Sequence, residues 1–373
     1  MKTFKKIILI LISCELLLIL FVVVKNHINW VIEAERYKLP IETKMETVWN
    51  IKFDSEIVST PILDGNTLFV QTTQSVSAID LITKSVIWKA NITGSYSNAP
   101  FLLKNETLFV SDNDFEISAI NATSGELLWH NELNAGSNRR TMDIIFQEGK
   151  IFIAKYLGRI YAMDGATGEI VWLSYGTDRS DLWLNSKENE IFVIGNKKIF
   201  TFDISDGSVL NETFYGVAPN TVFLERKEKY LFGEKGNDGP DAIRIFDDEV
   251  NEIELVGYLP ITGANCAVAY GDEMIITGDG IVRYDPKNQA VIWDKEIGDN
   301  LTCPIIVGNR IYLRKNADDL YIFSLETGTL IGGMDIYTDI HTIHYFSVDP
   351  LMIGDLVVIQ TQKDVLSAVR IIE

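Results

Sequence analysis

The sequence predicts an all-β protein, an eight-bladed β-propeller with four-stranded antiparallel blades, preceded by one N-terminal transmembrane helix. Three observations predict it. An eleven-residue frame, clearest as Ala162-Met163-Asp164-Gly165-Ala166-Thr167-Gly168-Glu169-Ile170-Val171-Trp172, occurs seven times. Its copies are spaced 38 to 44 residues apart, the period of a radial or stacked array of small β units. The two ends of that array are incomplete in complementary ways.

The frame is a hairpin. An Asp accepts hydrogen bonds from the amides of its own turn, and a Gly takes the left-handed conformation without steric cost. Ile170 and Trp172 are two apart, so strand alternation puts them on the same side. The Asp position is filled by Asp80, Asn121, Asp164, Asp203, Asp247, Asp285 and Ser324. Lys84 and Gln289 replace the turn Gly in two copies, so those two turns are expected to shift.

In chain order, Lys2, Lys5 and Lys6 precede an apolar run from Ile7 to Val24 that holds one charge, Glu15. Residues 1–24 are thus expected to be a cytoplasmic tip and a transmembrane signal anchor, with everything after Lys25 outside the cytoplasm. A lipidated Cys14 behind Leu11-Ile12-Ser13 and a cleaved signal peptide are the alternatives. Residues 25–45 are expected to form a stalk, in which Asn26–Tyr37 continues the membrane helix until Pro40 stops it. The array then fills 46–373. Each unit begins like Thr60-Pro61-Ile62-Leu63, turns through Asp64-Gly65-Asn66, and continues as an alternating strand, Thr67-Leu68-Phe69-Val70. A third strand leads into the hairpin frame, and the fourth carries the Trp, which makes one blade.

After the seventh frame the chain offers three more strands, near Thr342–Phe346, Leu356–Gln360 and Leu366–Ile371, and lacks their fourth. The N-terminal stretch 46–53, with Trp49, is a fourth strand without its three predecessors. Joined to the C-terminal blade, it closes the ring and satisfies edge groups that would otherwise be open.

The chain carries 33 basic and 52 acidic residues; without Lys2, Lys5, Lys6 and Glu15 of the first 24, the remainder holds 30 and 51, a net charge of −21. Such a domain is repelled by nucleic acid and by anionic lipid.

The frame Ala-x-Asp-x-x-Thr-Gly-x-x-x-Trp, seen at 162–172 and nearly so at 119–129, resembles the repeat of quinoprotein-like (PQQ-like repeat) eight-bladed propellers, over about residues 46–373. The resemblance implies a ring of docked aromatics made here by Trp49, Trp88, Trp129, Trp172 and Trp293. Asn211, Leu255 and Gly332 fill the same slot, so three junctions should be looser or differently packed. It also implies two uses. One is a dehydrogenase that holds pyrroloquinoline quinone and calcium over the axis, the quinone stacked on a disulfide of adjacent cysteines. The other is a cofactor-free scaffold such as the propeller lipoprotein of the outer-membrane barrel assembly machine.

The residues favour the scaffold. Cys14, Cys266 and Cys303 are not adjacent, and no motif supplies the base and calcium ligands. The acidic loop 236–241 lacks the ligand alternation of a calcium loop. His341 and His344, three apart, face opposite sides of a strand. No catalytic set is assigned and no cofactor is expected, with quinone and calcium as the alternative. A ligand-sensing ectodomain is the third reading. Cys266 and Cys303 sit at matching points of neighbouring blades, near the axis. Two buried free thiols are expected there because inner strands diverge, and a disulfide is the alternative. For a partner, the loops of blades 3 and 4 carry Arg139, Arg140, Lys155, Arg159, Arg179, Lys197 and Lys198. This cationic sector is suited to an acidic segment of an envelope or surface protein, or to an anionic glycan.

Overall fold

In a computed structural model of the chain, the described residues are 45–92, 99–112, 116–133, 141–155, 158–176, 183–187, 189–195, 198–214, 223–226, 229–234, 242–246, 252–298, 301–315, 319–335 and 348–372. The expected anchor, residues 1–24, and the expected stalk, 25–45, lie outside them except for Met45, which opens a strand. So do Arg139, Arg140, Arg179, Lys197, the loop 236–241, His341 and His344. Among the described residues no helix is long and apolar enough to cross a membrane.

The compact unit Thr43–Glu373 is all β. Among the described residues its strands form eight four-stranded antiparallel sheets, numbered here in chain order by the residues they span. They are sheet 1 (62–91), sheet 2 (101–132), sheet 3 (141–175), sheet 4 (183–214), sheet 5 (223–258), sheet 6 (266–296), sheet 7 (305–335) and sheet 8 (351–371 with Met45–Lys52). Sheets 1 to 7 are simple meanders. In sheet 8 the strand Met45–Lys52 pairs with Val365–Ile371, Trp49 lying opposite Ala368 and Thr47 opposite Val369. The link continues past the strand: Phe53 N donates to Asp364 O and Ile57 N to Lys363 O, at 2.7 and 2.8 Å. The first strand of this sheet is Leu351–Ile353; the 342–346 stretch read from the sequence lies outside the described residues. Pro350 leads into it, and Gly354 (φ +62°) makes the tight turn to Leu356–Gln362.

Burial follows from stacking sheet on sheet. Middle strands are covered on both faces: Ser75–Asp80 and Arg310–Lys315 are buried along nearly their whole length. Clusters of buried side chains join neighbouring sheets, such as Phe152, Ile160 and Ala162 of sheet 3 with Ile191, Phe200 and Phe202 of sheet 4. Leu68, Val70 and Ile79 of sheet 1 pack in the same way with Trp49, Val358 and Leu366 of sheet 8.

The hairpin frame is the joint between sheets. Trp129 stands opposite Ala119 in its own sheet and packs against Phe109 with ring centroids 6.1 Å apart. Its other face lies on Gly168 of sheet 3, where an added Cβ would come within 2.5 Å of the indole. Its Nε1–H donates to Gly165 O at 3.0 Å. Trp88 repeats this on Gly125 and Ala122 O, Trp172 on Gly207 and Ile204 O, and Trp293 on Gly328 and Leu325 O. The frame's Asp holds the turn: Asp164 Oδ1 accepts from Ala166 N and Thr167 N at 2.9 and 2.8 Å.

Two local expectations need correction. Ile170 and Trp172 do not share a side. Met163 pairs with Ile170 and Ala162 with Trp172, so Val171 is the extra residue of a β-bulge. The bulge breaks the period of two, leaving Ile170 exposed and Trp172 buried. The same shift recurs at Ala78/Ile79 and Ala119/Ile120. Nor do the Lys84 and Gln289 turns shift. Both residues adopt positive φ, 60° and 52°, and Lys84 N donates to Asp80 O at 2.8 Å just as Gly168 N does to Asp164 O. The neighbour's turn geometry outweighs the modest strain of a Cβ in this region. The Lys84 ammonium then caps the Trp49 ring, 5.3 Å from its centroid.

Two predictions follow from the frame. Gly168→Ala forces both a left-handed Ala and a clash with Trp129, so urea unfolding should show a loss of about 1–3 kcal/mol. The second concerns acid. Asp164, held chiefly by the Thr167 and Ala166 amides, has a pKa below its ordinary value, as do Asp80 through the Thr83 and Ile82 amides, Asp203 through Ser205 and Asp285 through Asn288. A carboxylate depressed in the folded state stabilises above its unfolded pKa and ceases to as pH falls through the folded value. Melting temperature should therefore drop below about pH 4. Asp164→Asn, which keeps the acceptor as Asn121 does in sheet 2, should make that drop shallower.

Candidate functional site

Polar side chains collect where the lead-in to each first strand meets the end of the second strand. Gln71, Thr277, Arg314 and Gln360 hold corresponding places near the ends of the second strands in sheets 1, 6, 7 and 8, and all are buried. Each reaches forward to a backbone carbonyl. Gln71 Nε2 donates to Ser111 O at 3.1 Å, Thr277 Oγ1 to Thr302 O at 3.4 Å, Arg314 Nη1 to Val348 O at 3.3 Å and Gln360 Nε2 to Ile57 O at 3.4 Å. These bonds join successive sheets at the edge opposite the Trp joints. The junction from sheet 7 to sheet 8, where Gly332 fills the Trp slot, is held by the Arg314 bond.

The most concentrated group spans sheets 6, 7, 8 and 1. Cys266 and Cys303 form a disulfide with Cα atoms 5.3 Å apart. This corrects the expectation of two buried free thiols: both are partly exposed. Cys266 opens its first strand and Cys303 lies in the lead-in to the next, where neighbouring lead-ins converge instead of diverging. Asn265 Nδ2 donates to Leu301 O across the same gap at 2.7 Å. From Cys303 the chain of contacts continues. Cys303 N donates to Asp349 Oδ1 at 3.1 Å, and Thr60 Oγ1 of sheet 1 donates to Asp349 Oδ2 at 3.4 Å. Burial raises the Asp349 pKa, against the pull of the Cys303 amide, the Thr60 hydroxyl and the nearby Arg314 charge.

This donor set does not fit a quinone and calcium as the resembled dehydrogenases hold them. The bridged cysteines are 37 residues apart, each Asp349 oxygen bonds a neighbouring sheet, and Asn265 Oδ1 accepts from Thr277 Oγ1 at 3.0 Å. The group is suited to fastening strands.

Of the cationic sector, Lys155 ends its strand, and Arg159 lies 5.9 Å over the Tyr175 ring. Lys198 is ion-paired with Glu212 beside Phe200. Asp279, in the loop after the second strand of sheet 6, accepts from Thr262 N and Oγ1, both at 2.7 Å. Asp349 and Arg314 were not singled out from the sequence. A partial signal was there: Gln71, Thr277 and Arg314 lie 17, 16 and 18 residues before the Trp slot (Trp88, Trp293 and Gly332), within one position of one another.

The fold and its joints are similar to those of PQQ-like β-propellers. Residues 72–227 match the family described as outer membrane protein assembly factor BamB. In structure the chain is similar to BamB from Moraxella catarrhalis, with a TM-score of 0.68 at 14% identity over 88% of this chain and 100% of that one. A europium-containing methanol dehydrogenase gives a TM-score of 0.65 at 12% identity, over 86% of each chain. In sequence it is 22% identical to a polyvinylalcohol dehydrogenase of Sphingopyxis sp. (strain 113P3) over 68% of this chain and 46% of that protein. It is 28% identical to an uncharacterized protein of Rickettsia conorii over 40% of this chain and 39% of that protein. The chain thus spans less than half the length of these curated relatives.

A disulfide closing 37 residues limits the unfolded chain by about 4 kcal/mol in the loop-entropy estimate. Cys266→Ser with Cys303→Ser should lower stability by about 2–4 kcal/mol in denaturant titrations, and reductant should have the same effect on the parent and none on the variant.

Proposed function

We propose that the chain is a membrane-anchored, extracytoplasmic, eight-bladed propeller that binds protein partners as a scaffold. The observation that carries this reading is the use of the polar groups at the lead-ins. Asp349, Arg314, Gln71, Thr277 and Gln360 bond from one sheet to the next, which stiffens a ring suited to presenting loops. The eight sheets are read as the blades of one closed ring, and residues 1–24 as its anchor. The likeness to BamB supports an envelope protein as the partner, and the cationic sector of Arg139, Arg140 and Arg179 supports an acidic segment on it.

A second reading, a quinone-dependent oxidoreductase, draws on the disulfide and on the similarity to the two dehydrogenases. One experiment separates the two. Pyrroloquinoline quinone and calcium are added to the purified chain, and its co-purifying proteins are compared before and after Arg139, Arg140 and Arg179 are changed to Glu. The scaffold reading expects no quinone absorbance or dye reduction, and loss of an envelope protein at unchanged melting temperature. A stoichiometric quinone complex that reduces dye would replace it with the second reading, and unchanged co-purification would move the partner site elsewhere on the ring.

A further inference from the structure

The third and fourth strands of sheet 2, Glu116–Asn121 and Leu127–Glu132, put Glu116 directly opposite Glu132 and Ser118 directly opposite His130. Cross-strand partners share a face, and so do residues two apart along a strand. All four side chains therefore lie on one face at one end of the strand pair. Two carboxylates directly opposite each other repel, a cost that most cross-strand pairs avoid.

Glu116, His130 and Glu132 each offer a ligand atom, and the three atoms lie within 4.8 Å of one another. His130 Nε2 is 4.0 Å from Glu116 Oε1. The other ring nitrogen is already held: Nδ1 is 3.1 Å from Ser118 Oγ, and Ser118 is buried. With Nδ1–H donated to that hydroxyl, Nε2 presents its lone pair to the two carboxylates. Metal-binding histidines are commonly oriented in this way by a second group. A Ser-His-Glu hydrolytic set is a poorer account. The Ser is buried, and it sits on Nδ1, with the carboxylate on Nε2, the reverse of the catalytic arrangement.

We propose that Glu116, His130 and Glu132 form a site for a divalent transition metal of the zinc class, with Ser118 as its positioning residue. One imidazole and two carboxylates are a borderline donor set. They suit zinc better than calcium or magnesium, which take oxygen ligands. Metal–ligand bonds of about 2.0–2.2 Å place tetrahedral ligand atoms roughly 3.4 Å apart. Rotation of the exposed Glu132 and His130 side chains and the half-buried Glu116 supplies the small closure required. Three protein ligands leave a fourth position to water. The bound cation would neutralise the opposed carboxylates and clamp the outermost strand of the sheet to its neighbour.

The test is calorimetric titration of the chelator-treated full chain with zinc chloride, with calcium chloride as the comparison, followed by melting curves with and without zinc. The proposal expects one zinc ion per chain at micromolar concentration and no calcium binding in that range. His130→Ala and Glu132→Gln should each weaken zinc binding by at least about tenfold, and Ser118→Ala by about tenfold. Zinc should raise the melting temperature of the parent but not that of His130→Ala. His130→Ala tests the ring, and the isosteric Glu132→Gln tests the site without altering the packing. No zinc binding up to millimolar concentration, or equal zinc binding by the parent and both of these variants, would overturn the proposal.

Discussion

A single indole ring, wedged between a phenylalanine of its own sheet and a glycine of the next, sets the spacing on which the rest of the structure depends. Trp129 and Trp172 are buried, and each indole nitrogen spends its hydrogen bond on a carbonyl of the following turn. The contact combines a large apolar area with a directional bond, so it fixes distance and angle together. It also explains the turn. The chain must approach the ring without a Cβ, and the Asp carboxylate holds the turn in that approach. Where Lys84 stands in place of the glycine, the same backbone shape survives and the side chain is turned to use, covering Trp49 with its charge and donating to Leu81 O.

The indole joints act toward the outer strands, and the Gln71, Thr277, Arg314 and Gln360 bonds act toward the lead-ins. Where they occur, both kinds point forward along the chain, from a sheet to its successor, and sheet 8 passes the pattern on to sheet 1 through Gln360 and the Asp349–Thr60 contact. A sheet fastened at two edges resists both sliding and splaying. A burial-raised carboxylate such as Asp349 sits opposite in sign to the frame Asp residues. It destabilises as it ionises, so its proton affinity is a cost of fastening three sheets at one point.

The repeat frame and the pairing of Trp49 near Val369 were legible in the sequence because they rest on one-dimensional periods and on hairpins that close locally. The features that were not legible depend on distances between sheets. The bulge at Val171 leaves no mark in an alternating run of apolar residues, so Ile170 was placed on the wrong side. The Cys266–Cys303 bridge depends on how closely two lead-ins converge, which strand spacing does not disclose. Leu351–Ile353 was passed over because it is only three residues long, although Pro350 and Gly354 frame it. The Glu116, His130 and Glu132 cluster requires the register of one strand pair, and only the pairing of Glu116 with Glu132 brings those residues together.

The pairing of Met45–Lys52 with Val365–Ile371 has a consequence for the order of events during biosynthesis. Among the described strands, the first in chain order pairs with the last. Throughout translation Met45–Lys52 is an open ladder edge, and Trp49 lacks the Val358 and Leu366 surface on which it finally packs. The seven intervening sheets can form by local meanders as they emerge, each a short-range event, but closure joins residues more than 300 positions apart. Contacts of such separation are slow to find. The nascent chain therefore passes through an unclosed arc with one unsatisfied edge at each end, the state in which edge-to-edge pairing with another copy competes with closure.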